Sequence, residues 1–123
     1  DGSVLGKGGI VSCDSDVTIA KTASGVSYTT SGVVTIGDNY SFSDSNTFVL
    51  NGSVVGAKEG VKITIGGTAP TGTGVGADKN FYSAAGSASA QGTKAALQNN
   101  STYVWGTVYT DGSGATGMGW VKQ

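Results

Sequence analysis

Apolar residues recur at every second position in several parts of this chain, and they do not recur at helical spacing over any eleven-residue stretch. The alternation is clearest at residues 17–20, 34–36, 61–65 and 103–109. In each of these segments one side is apolar or aromatic, and the other side carries Thr, Lys or small residues. Strands with one buried face have this pattern. The sequence therefore predicts an all-β fold.

Turn-forming residues separate these strands. Clusters of Gly, Ser, Asn and Asp lie at residues 24–25, 31–32, 37–39, 51–53, 66–67 and 111–114. Asn51-Gly52 is the strongest hairpin signal among them. Residues 68–79 are predicted as a Gly-rich loop, and residues 84–98 as a short strand with a loop or at most one helical turn. Seven or eight strands at this spacing predict an antiparallel β-sandwich, and the texture is too irregular for a solenoid.

The composition supports one folded domain and excludes two classes of partner. The chain has 22 Gly, 15 Ser and 15 Thr among 123 residues, with 12% charged residues and a net charge of -1. All seven basic residues are Lys, and they are scattered, so the sequence offers no basic face for nucleic acid. The longest apolar runs, such as residues 48–50, are too short to span a membrane.

The residue types needed for most enzymatic chemistry are missing. The chain has no His and a single Cys, which excludes Ser-His and Cys-His nucleophiles, an internal disulfide and a catalytic zinc site. Cys13 is expected to be a small, buried apolar side chain, and the alternatives are pairing between chains or a free thiol. The carboxylates lie in turns, where Asp accepts backbone hydrogen bonds; they are Asp14, Asp16, Asp38, Asp44, Glu59, Asp78 and Asp111. We predict no catalytic residues, no metal and no cofactor.

One motif imitates a nucleotide-binding site. Residues 112–117 match the pattern GxGxxG and follow a predicted strand. The few residues that come after the motif are too short for the helix and second strand that a dinucleotide site uses. We predict a hairpin loop here.

Four aromatic residues are concentrated near the end of the chain. They are Tyr103, Trp105, Tyr109 and Trp120. If Trp120 pairs with the strand that holds Trp105, the rings form a cross-strand cluster within the structural framework. The alternative is an exposed platform on which sugar rings stack.

The order of the predicted strands resembles that of chaperone-usher pilins, the subunits of bacterial surface fimbriae. The opening of the chain, with Gly2-Ser3-Val4, Gly8, Ile10-Val11 and Cys13, is similar to the pilin N-terminal segment. Further similarities lie at residues 34–37, 47–51, 61–69, 99–109 and 118–123. The resemblance implies an incomplete immunoglobulin-like sandwich that is completed by a donor strand from a neighbouring subunit.

The same resemblance implies how the chain is divided and what it binds. Residues 1–9 would be the N-terminal extension and residues 10–123 a single β-sandwich domain. Val4, Gly6, Gly8 and Ile10 would point to one side of the donor strand. The implied partners are identical or related subunits, a periplasmic chaperone, an outer-membrane usher, and a host glycan or surface receptor. The chain begins with Asp1, as expected for a processed secreted protein of a cell-surface filament.

Two other functions fit the same sequence. A virion structural protein, either a phage fibre or a capsid-decoration protein, would share the Gly-, Ser- and Thr-rich texture without His. A carbohydrate-binding module would use the four aromatic rings as its platform. Self-assembly distinguishes the filament and virion hypotheses from the binding module, which would be monomeric.

Overall fold

The computed structural model describes residues 9–13, 17–19, 25–42 and 46–123. Within these ranges the chain forms twelve strands and one 3-10 turn at Thr73–Val75. The strands are β1 (Gly9–Cys13), β2 (Val17–Ile19), β3 (Val26–Thr30), β4 (Val34–Ile36), β5 (Tyr40–Phe42), β6 (Thr47–Leu50), β7 (Val54–Gly56), β8 (Lys62–Ile65), β9 (Phe81–Ala84), β10 (Thr93–Lys94), β11 (Thr102–Tyr109) and β12 (Thr116–Lys122).

Two sheets consist entirely of parallel strands taken from successive passes of the chain. Sheet I has the order β1-β3-β6, and sheet II has the order β2-β4-β7. Gly9 pairs with Val26 in sheet I, and Val17 pairs with Val34 in sheet II. The number of residues by which the chain advances from one strand to its partner is therefore the same in both sheets. Each pass therefore contributes one strand to each sheet, and the passes stack as parallel coils.

The later coils are longer than the first. Ser27 pairs with Thr47 in sheet I and Val34 pairs with Val54 in sheet II, so the second advance is again equal in the two sheets and larger than the first. A bridge between Val49 and Thr71 extends sheet I by one further and still longer step. The coils thus stay in register although their lengths differ.

Sheet III is the third face of the coils and continues into the C-terminal half. Its strand order is β10-β9-β12-β11-β8-β5. β5 and β8 are parallel, as expected for successive coils, whereas β11 is antiparallel to both β8 and β12. The β11–β12 hairpin places Trp105 opposite Trp120. The predicted hairpin loop at residues 112–117 is confirmed, with its last two residues already in β12.

The prediction of an all-β fold made of packed sheets is confirmed. The strand directions need correction, because six of the nine strand pairs in the described ranges are parallel. Sheets I and II are parallel and not antiparallel as predicted, whereas the packed all-β sheets are consistent with the predicted sandwich. The coils of sheets I and II also stack as in a solenoid, which was not expected from the sequence. In stacked coils each parallel strand has one core face and one solvent face. Each of these strands therefore shows the alternation of apolar and polar residues that is usually associated with antiparallel sheets.

The core lies between the three sheets and is stacked from coil to coil. Tyr28 of β3 lies on Phe48 of β6, with ring centroids 4.8 Å apart and planes 16° from parallel. Phe42 meets Phe48 edge to face at 4.9 Å. In-register parallel pairing places residues of successive coils directly beside each other, and each aromatic pair contributes about 1 kcal/mol beyond burial.

The Asn51-Gly52 turn is a corner and not the predicted hairpin. It joins β6 of sheet I to β7 of sheet II, so the two strands do not pair with each other. A Cβ atom on Gly52 would fall on the carbonyl oxygen of Gly32, and one on Gly74 would fall on the carbonyl oxygen of Gly52. These three glycines form a corner column (Gly32, Gly52 and Gly74) in which successive coils pack backbone on backbone.

The two predicted loop regions differ in how much structure they contain. In residues 68–79, Thr71 pairs with Val49 and the 3-10 turn follows it, so this loop is more ordered than expected. In residues 84–98, the end of β9 and the two-residue β10 are joined by a loop, which agrees with a short strand and a loop.

Candidate functional site

The predicted donor strand lies mostly outside the described residues. Val4, Gly6 and Gly8 are not in the described ranges, whereas Ile10 lies in β1 and pairs with Ser27 of its own chain. Gly9 is the first residue of β1. The division of the chain into residues 1–9 and 10–123 stays a prediction.

The N-terminal coil presents strand edges. β1 is the first strand of sheet I and β2 is the first strand of sheet II. Among residues 9–13, 17–19, 25–42 and 46–123, no strand pairs with the outer side of either one. The outer side of an edge strand carries backbone N–H and C=O groups that can pair with an added strand. This edge of β1 and β2 is the candidate assembly site.

The opposite end of the coil stack is closed. The carbonyl oxygen of Val54 in β7 accepts hydrogen bonds from Asn80 Nδ2 at 2.9 Å and from Trp120 Nε1 at 3.0 Å. Thr71 pairs with β6 through both its backbone N–H and its C=O, at 2.9 and 2.7 Å. The outer sides of β6 and β7 are therefore occupied by the chain itself, and the two ends of the stack differ.

The four aromatic residues belong mainly to the core. Trp120 is fully buried and Trp105 is 7% exposed, and their ring centroids are 4.9 Å apart. Tyr103 is also buried, and its hydroxyl accepts a hydrogen bond from the backbone N–H of Gln98 at 3.0 Å. Tyr109 is half-buried. A sugar-stacking platform needs exposed ring faces, which the two tryptophans do not offer.

Two further residues, Asn80 and Gly56, hold this cluster, and neither was predicted from the sequence. Asn80 binds the same carbonyl as Trp120, and nothing in its sequence context distinguishes it from the other asparagines. Gly56 lies under the Trp105 ring, since a Cβ atom on Gly56 would overlap the indole. A glycine inside an alternating strand is the signal that could have indicated this close approach.

The described residues contain no group of three or more His, Cys, Asp or Glu side chains that could hold a metal ion. Cys13 is in β1, opposite Thr30 in the register. Asp14, Asp16 and Asp44 fall outside the described ranges.

Asp111 has a structural role in the β11–β12 loop. Its Oδ1 accepts hydrogen bonds from the backbone N–H and the hydroxyl of Ser113, both at 2.9 Å, and from the N–H of Ala115 at 3.2 Å. These hydrogen bonds lower the pKa of the Asp111 carboxyl below its ordinary value of 3.8, and the bond from the Ser113 backbone has the largest effect. The loop is thus organised around its own carboxylate.

Within the described ranges, no helix has the length and apolar character needed to cross a membrane. Comparisons with protein families, with curated proteins and with solved structures find no match to this chain. The residues of the chain and their geometry are therefore the basis for its proposed function.

Proposed function

We propose that this protein is a structural, self-assembling subunit of an extracellular bacterial filament that supports adhesion, and that it has no catalytic activity. The observation that carries the proposal is the difference between the two ends of the coil stack. One end presents the edges of β1 and β2 within the described residues, whereas the other is closed by Thr71, Asn80 and Trp120. A strand added at the first end would gain backbone hydrogen bonds and cover the edge.

The added strand in this proposal is the N-terminal extension of a neighbouring subunit. Ile10 pairs with Ser27 of its own chain, so the exchanged part would be the segment before β1, with Val4, Gly6 and Gly8. The partners would then be identical or related subunits, brought together by a periplasmic chaperone and an outer-membrane usher. The filament would lie on the cell surface.

Deleting residues 1–8 tests the proposal, because it leaves β1 whole. We expect the shortened chain to fold and to form no filaments in negative-stain microscopy. A synthetic peptide of residues 1–8 should raise its unfolding midpoint, since it restores the missing strand. The matched control is the full chain with Lys7→Ala, because in an extended donor strand residue 7 would point to the opposite side from residue 4; this variant should assemble normally. Filaments formed by the shortened chain at the full-length rate would exclude strand donation.

The stacked parallel coils favour a second candidate, a virion structural protein such as part of a phage fibre. Coils stacked along one axis make a quasi-one-dimensional body, and a cap at one end suits the end of a fibre. Negative-stain microscopy of the native material separates the two candidates, since filaments support the first and a capsid-bound oligomer supports the second. The buried ring faces of Trp105 and Trp120 argue against a carbohydrate-binding module that uses these rings.

A further inference from the structure

One line of side chains crosses the outer face of sheet III from strand to strand. In register order this outer row consists of Lys62, Val104, Val121, Tyr82 and Lys94. Directly paired residues of neighbouring strands point to the same side of a sheet. The alternate positions along these strands, such as Ile63 and Trp120, are buried in the core, so the outer row points away from it.

The two ends of the outer row are positively charged. Lys62 and Lys94 are both exposed, and Lys94 Nζ lies 5.9 Å from the centre of the Tyr82 ring. Four steps between neighbouring strands separate these lysines, which corresponds to about 19 Å. None of the residues in β8, β9, β10, β11 and β12 is acidic. The strands that form the row thus carry no carboxylate, and the hydrogen bond that Lys94 Nζ donates is to the backbone carbonyl oxygen of Asp78 at 3.4 Å.

The middle of the outer row is apolar and borders a shallow depression. Val104 and Val121 are half-buried. The next pair along the same two strands is Gly106 opposite Gly119. The Tyr82 ring covers Gly119, whereas no atom of the described residues beyond the two chain neighbours of Gly106 lies within 4 Å of the point that a Cβ on Gly106 would occupy. Tyr82 is only 4% exposed and offers little surface. The accessible part of the row is therefore the valine pair Val104 and Val121 beside open space, with a cation at each end.

We propose that the outer row binds an acidic polysaccharide whose chain lies across the strands. The C–H faces of the sugar rings would pack on Val104 and Val121 beside Gly106, and carboxylates near the two ends would pair with Lys62 and Lys94. This binding surface is separate from the β1 and β2 edges, and it does not depend on filament assembly.

The chemistry of the row favours a polysaccharide over an acidic peptide. The row lies on the face of the sheet, where the backbone groups of its strands pair with those of neighbouring strands and not with a molecule lying across the face. A peptide laid over the valines would leave its own N–H and C=O groups without partners on apolar surface, which is unfavourable. A sugar chain can turn its C–H faces toward the valines and its hydroxyls toward water.

The test uses oligogalacturonate as the acidic probe, carboxyl-reduced oligogalacturonate as the neutral probe and poly-L-glutamate as the peptide probe, with binding measured by calorimetry. We expect the full chain to bind only the first. The Lys62→Ala/Lys94→Ala double variant should bind it at least about tenfold more weakly, which corresponds to two exposed charge pairs. The Lys58→Ala/Lys79→Ala double variant loses the same net charge outside the row and should bind like the full chain.

A second pair of variants tests the apolar strip. Gly106→Val fills the depression from a Cβ position that meets no other atom, and we expect weaker binding and an unchanged near-ultraviolet circular dichroism spectrum. Thr107→Val changes the next residue, on the opposite side of the same strand, and should leave binding unchanged. The proposal is overturned if the full chain does not bind oligogalacturonate, if the neutral probe or poly-L-glutamate binds as tightly, or if the Lys62→Ala/Lys94→Ala variant keeps full affinity.

Discussion

The indole N–H of Trp120 donates to the carbonyl oxygen of Val54 at 3.0 Å, across 66 positions of the chain. Asn80 Nδ2 donates to the same oxygen at 2.9 Å. One buried carbonyl group thus links the last strand, the segment before β9 and the outer strand of sheet II. The coil stack and the C-terminal hairpin are joined at this point.

Removing both donors from the Val54 carbonyl should cost more stability than the sum of the single removals. Trp120→Phe and Asn80→Ala each leave one donor, whereas the double variant leaves a buried carbonyl without a partner. We expect a coupling free energy of about 1 to 2 kcal/mol. Urea unfolding of the wild type, the two single variants and the double variant measures it. Additive changes would show that the two hydrogen bonds act independently.

Gly52→Ala should destabilise the fold by at least about 2 kcal/mol, because the new methyl group would overlap the Gly32 carbonyl and push two coils apart. Gly106→Ala is the matched control, since its methyl group would meet no atom within 4 Å. We expect the control to be neutral or stabilising by up to about 1 kcal/mol, because alanine restricts the unfolded chain. Equal urea midpoints for the two variants would contradict the tight packing of the corner column.

Trp105→Ala should lower the free energy of unfolding by about 3 to 5 kcal/mol, because it leaves a large cavity beside Gly56 and Trp120. Met118→Ala on the paired strand is the control. Its side chain is 41% exposed, so we expect a change within about 0.5 kcal/mol. Chemical denaturation followed by tryptophan fluorescence and circular dichroism measures both. A Trp105→Ala variant with wild-type stability and lost sugar binding would instead support the exposed-platform hypothesis.

Asp111 should make the stability of the β11–β12 hairpin depend on pH in the acidic range. Its hydrogen bonds favour the ionised carboxylate, so its pKa in the fold lies below the ordinary value of 3.8. A group with a lowered pKa contributes its full stabilisation above the unfolded pKa and loses it as the pH falls through the folded value. The advantage of the wild type over Asp111→Asn should therefore be constant near neutral pH and shrink below about pH 4. Unfolding curves at a series of pH values would show no such convergence if the loop were held by other groups.

Local features of the fold were predictable because they depend on residues near each other in sequence. The strands at residues 34–36 and 103–109 and the hairpin loop after Tyr109 follow from alternation and turn chemistry. The pairing of Trp105 with Trp120 meets the condition that was set for a cross-strand aromatic cluster. The burial of the two tryptophans also agrees with a role in the framework.

Strand direction was not predictable, because it depends on partners far apart in the chain. The alternation in β4 is the same whether its neighbours run parallel or antiparallel. Asn51-Gly52 suits a two-residue hairpin and also a corner between sheets. The distant partners of β6 and β7, together with the Gly32 carbonyl against Gly52, distinguish the two. The outer row was hidden for the same reason, since its five residues come from five strands.

The unequal lengths of successive coils affect how reliably the chain finds its own partners. In a stack of identical repeats, a strand could pair with the wrong coil and still form its backbone hydrogen bonds. Here a strand displaced onto the wrong neighbour would leave a corner too short or too long, and would move the corner glycines out of line with one another. The number of residues between paired strands varies from coil to coil, which makes the coils hard to detect in the sequence. The same variation selects against misaligned folding.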